Sequence, residues 1–320
     1  MNILIFGKDG QLGKAFNAVF AQKTEQRYQI HYVGRAECDL ANADAISALV
    51  NQIKPDLIIN AAAYTAVDKA ETEIDLAFAI NAKAPEIMAQ YAVANGTTLL
   101  HYSTDYVFDG SKDDFYTEGD PRNPLGIYGK SKAAGEQAIE ETFTNLPAQS
   151  QAQYAIFRTS WVYGDGGNFI RTILRLAKER EVLRIISDQY GVPTNAEWLA
   201  KVSLDLALDE NDQIKPFPSG VYHAVPSGQT TWHGLATLAV QSALEAGMPL
   251  KVKPAAIQAI LASEYPLPAP RPMNSRMATD KLRSALWKGD PDINKRAQLL
   301  ESWDGLAKGY VHQLAHGKLI

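Results

Sequence analysis

The sequence predicts an α/β fold built on a doubly wound parallel sheet, and three observations carry that expectation. Short apolar runs alternate with helix-periodic stretches through the first half of the chain. The runs lack the in-and-out alternation of half-exposed strands, as expected where helices cover both faces. A glycine-rich turn, Gly7-Lys8-Asp9-Gly10-Gln11-Leu12-Gly13, separates the first run from the first helical stretch.

Each element follows from local pattern. Asn2 to Phe6 is apolar and stops at Gly7, and helical periodicity runs from Gly10 to about Phe20. Tyr28 to Val33, β-branched and aromatic, reads as the second strand. Asn42, a good N-cap, opens a periodic stretch through Ala45, Ile46, Leu49, Val50 and Ile53. Asp56 to Asn60 gives a third strand and Asp75 to Ala94 one long helix; Thr97 to Tyr102 and Tyr154 to Arg158 give a fourth and fifth strand, with helical sequence from Tyr128 to Glu141 between them. After Trp161 the rhythm loosens, with strand-like pieces at Val182 to Ile186 and Val221 to Ala224 and a proline-rich stretch from Tyr265 to Pro270. The expected organisation is a Rossmann-type domain over residues 1–167, with a return to the sheet near 220–240, and a smaller C-terminal substrate-binding lobe over most of 168–320.

Composition narrows the function. At 320 residues the chain makes about two domains. With 46% hydrophobic and 21% charged residues it buries a core and is no disordered chain. Lys plus Arg number 31 against 36 Asp plus Glu, so there is no basic excess to follow a phosphate backbone, and nucleic acid is not an expected partner. One cysteine, Cys38, excludes an intrachain disulfide and any multi-cysteine metal site. No basic leader precedes the first apolar run and no apolar stretch is long enough to span a bilayer, so a cytoplasmic protein without a membrane partner is expected.

The glycine turn suits a dinucleotide. One glycine permits the tight turn, one admits a pyrophosphate to the backbone and one lets helix and strand pack closely, with Gly7, Gly10, Gln11, Leu12 and Gly13 forming the anion site at the helix N-terminus. At the tip of the second strand Arg35 favours the 2′-phosphate of NADP(H), while Glu37 leaves NAD(H) open. At the third strand's end, Ala61, Ala62 and Ala63 let a nucleotide lie against backbone.

The candidate chemistry lies further on. Tyr128 and Lys132 are four apart, on one face of a helix. Thr104 sits where the fourth strand ends, and the crevice outside the carboxyl ends of the strands is where an open α/β sheet binds its ligand. There is no GxSxG elbow, HExxH or Walker lysine.

In this order and spacing, the glycine triplet, the strand-end hydroxyl and YxxxK resemble the extended short-chain dehydrogenase/reductases. The stretches Asn60–Glu71, Tyr102–Phe108, Tyr128–Lys132, Phe157–Tyr163, Asp188–Thr194 and Arg271–Ser275 resemble, within them, the dTDP-4-dehydrorhamnose reductase family. The resemblance implies reduction of the C4 ketone of dTDP-4-dehydro-β-L-rhamnose to dTDP-L-rhamnose by NADPH or NADH, a step of dTDP-rhamnose and cell-surface polysaccharide precursor synthesis. It implies Tyr128 as proton donor, Lys132 as the cation that eases proton release and holds the nicotinamide ribose, and Thr104 as a donor to the carbonyl. It assigns Asp39, Leu40, Tyr64 and Thr65 to the cofactor site and Val67, Asp105, Trp161 and Arg271, with Thr104, to the dTDP-sugar pocket. It also implies a homodimer.

Two alternatives stay in view, an epimerase or dehydratase of the same superfamily and a non-catalytic NADP-binding regulatory subunit. Asp105 followed by Tyr106 matches poorly the acidic pair of the dehydratases. Some enzymes of the family hold Mg2+, but Lys14 and Ala15 stand where one carboxylate ligand is expected, and Thr194 to Glu197 reads better as a capping box than as a metal site. No metal ligand set is identified.

Overall fold

The computed structural model describes residues 1–22, 28–144, 146, 149–287 and 300–317. The chain begins with β1 (Asn2–Phe6), α1 (Gln11–Ala21), β2 (Gln29–Val33), α2 (Ala43–Ile53) and β3 (Leu57–Asn60). Helix α2 starts where its cap predicts, the Asn42 side chain accepting from the Asp44 and Ala45 N–H groups, both at 3.1 Å.

After a short α3 (Val67–Ala70), the single helix expected over 75–94 is instead α4 (Ile74–Phe78), a π-helical turn (Ala79–Lys83) and α5 (Ala84–Asn95). Pro85 explains the widened turn: it has no N–H to return to the Asn81 carbonyl. Gly135 of the helix opposite approaches that freed carbonyl so closely that a Cβ there would lie 2.1 Å from it.

Next come β4 (Thr98–Thr104), a 3₁₀ turn (Asp105–Val107), α6 (Ile127–Thr144), β5 (Gln153–Thr159), β6 (Val162–Tyr163), α7 (Phe169–Glu179), β7 (Leu183–Ile186), β8 (Tyr190–Gly191), β9 (Thr194–Asn195), α8 (Ala196–Ala207) and β10 (Gly220–His223). The chain continues through β11 (Thr230–Thr231), α9 (Trp232–Glu245), β12 (Ile257–Ile260), α10 (Asp280–Trp287) and a C-terminal helix, Trp303–His316. The N-cap of α8 is Asn195 rather than Thr194: its side chain accepts from Glu197 N–H, and Glu197 pairs with Lys201 at 2.8 Å instead of closing a box.

The main sheet is wholly parallel with the order β2-β1-β3-β4-β5-β10, the Rossmann-type doubly wound arrangement that the sequence predicts. One face is covered by α1 and α8 through Phe16, Phe20, Trp198 and Leu199, the other by α2, α5 and α6 through Val50, Met88, Tyr91 and Ile139. A third core, including Leu174, Leu235, Val240 and Val311, joins α7, α9 and the C-terminal helix beside the parallel pair β7 and β12. Among the described residues no helix is long and apolar enough to cross a membrane.

Beneath the carboxyl ends of β4 and β5 lies a buried ion pair. Glu136 of α6 is fully buried, and Arg158 of β5 grips it with two bonds, Nε to Oε1 at 3.0 Å and Nη2 to Oε2 at 2.7 Å. Arg122 reaches the same carboxylate from the rim at 3.1 Å. Replacing Arg158 by Met leaves the buried Glu136 with Arg122 alone, a single bond from a partly exposed side chain that is also shared with Glu140, and the expected loss is about 3–5 kcal/mol. A urea unfolding curve checks this, and an unchanged midpoint would show that Arg122 suffices.

Candidate active site

The glycine turn is built for close approach. Gly7 has φ +87° and donates its N–H to the Val33 carbonyl at 2.8 Å, tying the turn to the end of β2. A Cβ on Gly7 would meet the Ala62 nitrogen at 2.8 Å, and one on Gly13 would meet the Gly7 carbonyl oxygen at 2.1 Å. Gly10 is the N-cap of α1 and supplies no side-chain acceptor, so the helix N-terminus is left to an anion. The cradle fits a pyrophosphate. Leu12 turns its side chain into the core, so it offers only backbone, while Gln11 reaches toward the Val162 carbonyl at 3.5 Å and leaves its Oε1 buried without a protein partner.

At the tip of β2 the charges are interleaved. The Glu37 carboxylate pairs with Lys8 of the glycine turn and accepts the Gly34 N–H at 2.8 Å, and Lys8 above all holds it below the usual carboxylate range. Arg35 is largely exposed, its nearest carboxylate being Asp39 at 3.7 Å. Asp39 accepts the Ala41 N–H at 3.0 Å, and Leu40 packs into the core beside α2.

After β3, Ala61, Ala62 and Ala63 lie partly buried beside the turn, followed by buried Tyr64, exposed Thr65 and partly buried Val67. Tyr64 is pinned by Asn81: the side chain accepts from Tyr64 N–H at 2.9 Å and donates to Tyr64 carbonyl at 3.0 Å and to Ser131 Oγ at 3.0 Å. Ser131 lies between Tyr128 and Lys132, so one buried asparagine couples the cofactor-side loop to α6. Sequence reading missed it, although an Asn four residues before a mid-helix proline was the available signal.

The three candidate catalytic residues converge. Thr104 ends β4, and Tyr128 and Lys132 share the face of α6 packed against it. Burial pushes the Tyr128 phenol up to about 12, with the Thr104 hydroxyl acting to lower it and Asp105 to raise it. Burial brings the Lys132 ammonium down to about 8, opposed by Glu136 one helical turn on. Lys132 donates to the Tyr102 carbonyl at 2.5 Å. Asp105 is buried, accepts from Thr104 Oγ1 at 2.9 Å and from Ser275, and is pushed up to about 6, chiefly by burial. Tyr106 meets the Tyr128 ring edge-on with centroids 5.4 Å apart.

Two of the remaining expected pocket residues, Trp161 and Arg271, are held by specific contacts. Trp161 has φ +49°, a left-handed conformation that costs about 1–3 kcal/mol in a non-glycine residue. It stacks on Trp232 at 3.7 Å, and Gly191 makes room, since a Cβ there would lie 2.6 Å from the indole. Arg271 gives both terminal nitrogens to Asp68, at 2.6 and 2.9 Å. Asp68, Ser275 and Trp232 were not singled out from the sequence; their partners lie 203, 170 and 71 residues away in the chain, 71 being 232 minus 161. Among the described residues no group of three or more His, Cys, Asp or Glu could hold a metal ion, so no step is assigned to one.

Comparison with known proteins agrees with this geometry. The RmlD substrate binding domain family matches residues 1–299. The dTDP-4-dehydrorhamnose reductase of Escherichia coli K12 is 44% identical over 291 residues, covering 88% of this chain and 91% of its own. A crystal structure of a dTDP-4-dehydrorhamnose reductase from Clostridium acetobutylicum superposes with a TM-score of 0.82 at 32% identity, covering 98% of this chain and 99% of the other. The reductase of Bacillus anthracis, in complex with NADP, superposes with a TM-score of 0.79 at 31% identity over 97% and 98% of the two chains. With a glycine cradle, a strand-end threonine and a tyrosine–lysine helix all in place, the chain belongs to the RmlD substrate binding domain family.

Proposed function

We propose that this protein reduces the C4 ketone of dTDP-4-dehydro-β-L-rhamnose to dTDP-L-rhamnose with NADPH or NADH, a step in making activated rhamnose for cell-surface polysaccharide. The observation that carries the reading is the meeting of Thr104, Tyr128 and Lys132 at the carboxyl end of β4, opposite a glycine cradle. Sequence similarity to named reductases over nearly nine-tenths of the chain supports the substrate.

A reduced nicotinamide dinucleotide, held by its pyrophosphate at the glycine turn, would supply the hydride. The chain's own groups do the rest. A phenol held near 12 is fully protonated at neutral pH, so Tyr128 keeps a proton ready for the alkoxide that forms on the sugar. Thr104 serves as a donor to the same oxygen as charge builds by turning its single hydroxyl proton away from Asp105. Lys132, charged and out of water, stabilises the tyrosinate left behind and holds the ribose.

Gly7, Gly10, Gln11, Leu12 and Gly13 receive the pyrophosphate, and Arg35, Asp39, Leu40, Ala61, Ala62, Ala63, Tyr64 and Thr65 flank the adenosine and nicotinamide halves. Val67, Asp105, Trp161 and Arg271 face the dTDP-sugar. Arg271 reaches its pyrophosphate only by yielding part of its bond to Asp68. The division into a nucleotide-binding part over 1–167 with β10 and a substrate lobe over the remainder belongs to the same proposal, as does a homodimer, which light scattering would report.

Mixing the protein with dTDP-4-dehydro-L-rhamnose and each reduced cofactor in turn should consume nicotinamide absorbance and yield dTDP-L-rhamnose; no oxidation of either cofactor would rule the reaction out. Tyr128→Phe is expected to cut kcat by about 10²-fold or more while NADPH binding stays near that of the parent. The rate should fall on the alkaline side as Lys132 loses its proton, at a pH near 8, because the charged form does the work. In Lys132→Met the residual rate should lack that fall, and its persistence there would assign it to another group.

A further inference from the structure

Lys132 is a cation with only 1% of its surface exposed, and among the described residues no carboxylate bonds it directly. Besides the Tyr102 carbonyl, one side chain touches its ammonium: His101 of β4, with Nε2 3.3 Å from Nζ. The other ring nitrogen, Nδ1, lies 3.1 Å from the carboxamide of Asn60, at the end of neighbouring β3. All three side chains are buried, and none of the roles assigned above uses His101 or Asn60.

The donor count fixes a direction. An ammonium has donors only, so Nε2 must present a lone pair to it, and the single proton of a neutral imidazole then sits on Nδ1. That proton needs an acceptor, which the Asn60 oxygen provides. Turning the carboxamide by half a revolution brings Oδ1, otherwise buried without a partner, onto Nδ1 without changing the packing. The chain of bonds then runs one way, from Lys132 to His101 and from His101 to Asn60. The imidazole stays neutral because burial and the Lys132 charge both hold it well below its ordinary value.

We propose that His101 is a positioning residue for the reduction: anchored by Asn60, it accepts a hydrogen bond from Lys132 and so keeps that lysine charged and aimed at the tyrosine. The inference rests on the role given to Lys132 above. The ionisable groups around the ammonium are Tyr128 and Glu136 on α6, His101 on β4 and, beyond the phenol, Asp105. Of these, His101 is the one hydrogen-bonded to the ammonium, and it brings no charge of its own.

The test compares pH–rate profiles of the full-length protein. His101→Leu removes the acceptor, so the ammonium loses a partner and the alkaline fall in kcat should move about one pH unit or more toward acid. His101→Gln retains an acceptor and should restore the profile. Asn60→Ala, which removes the anchor of Nδ1–H, should shift it in the same direction and decides the matter if His101→Leu does not fold. A profile unmoved in His101→Leu or Asn60→Ala, or a Gln variant shifted as far as Leu, overturns the role of His101 alone. A fully active Tyr128→Phe protein would sink the catalytic reading and this inference with it.

Discussion

A lysine ammonium buried under the carboxyl ends of β3 and β4 is the constraint around which the site is arranged. Taking such a charge out of water is costly, and the usual remedy, a bonded carboxylate, would tie the ammonium to one partner. Here the carboxylate stands one helical turn away, as Glu136, and is itself held by Arg158 and Arg122. Lys132 keeps a carbonyl and an imidazole instead, partners that satisfy two of its three donors without neutralising it. Among the described residues one N–H of the lysine is left over, and it is this one that the proposed mechanism turns to a ribose or a phenolate.

Placement of that lysine depends on backbone arrangements that look incidental when taken singly. Pro85 frees the Asn81 carbonyl; Gly135 allows α6 to close on that carbonyl; the Asn81 side chain then spans Tyr64 and Ser131. Glu71 accepts the Ile127 N–H at 2.8 Å, fixing the first turn of α6. Asp68, on the adjoining turn, holds Arg271 and the Ala269 N–H. Within a few residues, α3 and the Glu71 that follows it thus hold both α6 and the loop around Ala269 and Arg271.

Much of this was legible in the chain. The strands of the main sheet and the first-turn cap at Asn42 could be placed because each depends on residues close in sequence: an apolar run, a glycine stop, an N-cap. The proximity of Thr104, Tyr128 and Lys132, the trio proposed as catalytic, was legible for the same reason, as a spacing on one helix and a position at one strand end. What could not be read were contacts that only the fold creates. The π turn arises because Pro85 and Gly135, 50 residues apart, share one carbonyl, and the Asp68–Arg271 pair joins α3 to a loop 203 residues further on. Asn195 in place of Thr194 as the cap of α8 has a local cause: Thr194 is fully buried with its hydroxyl turned to the Val192 carbonyl, and it is the Asn195 side chain that meets the Glu197 and Trp198 N–H groups.

The tip of β2 joins these two kinds of information. Sequence alone presents Arg35 and Glu37 as rivals, one suited to a 2′-phosphate and the other to a 2′-hydroxyl. In the fold Glu37 is already occupied by Lys8 and by the Gly34 N–H, whereas Arg35 stands in solvent with only a distant carboxylate. A ribose hydroxyl would have to share Glu37 with an ion pair, while a phosphate would find an uncommitted guanidinium and, beside it, a lysine able to exchange one anion for another. The electrostatics lean toward the phosphorylated cofactor, and the carboxylate that would serve the other remains in reach because nothing but Lys8 and one backbone N–H holds it back.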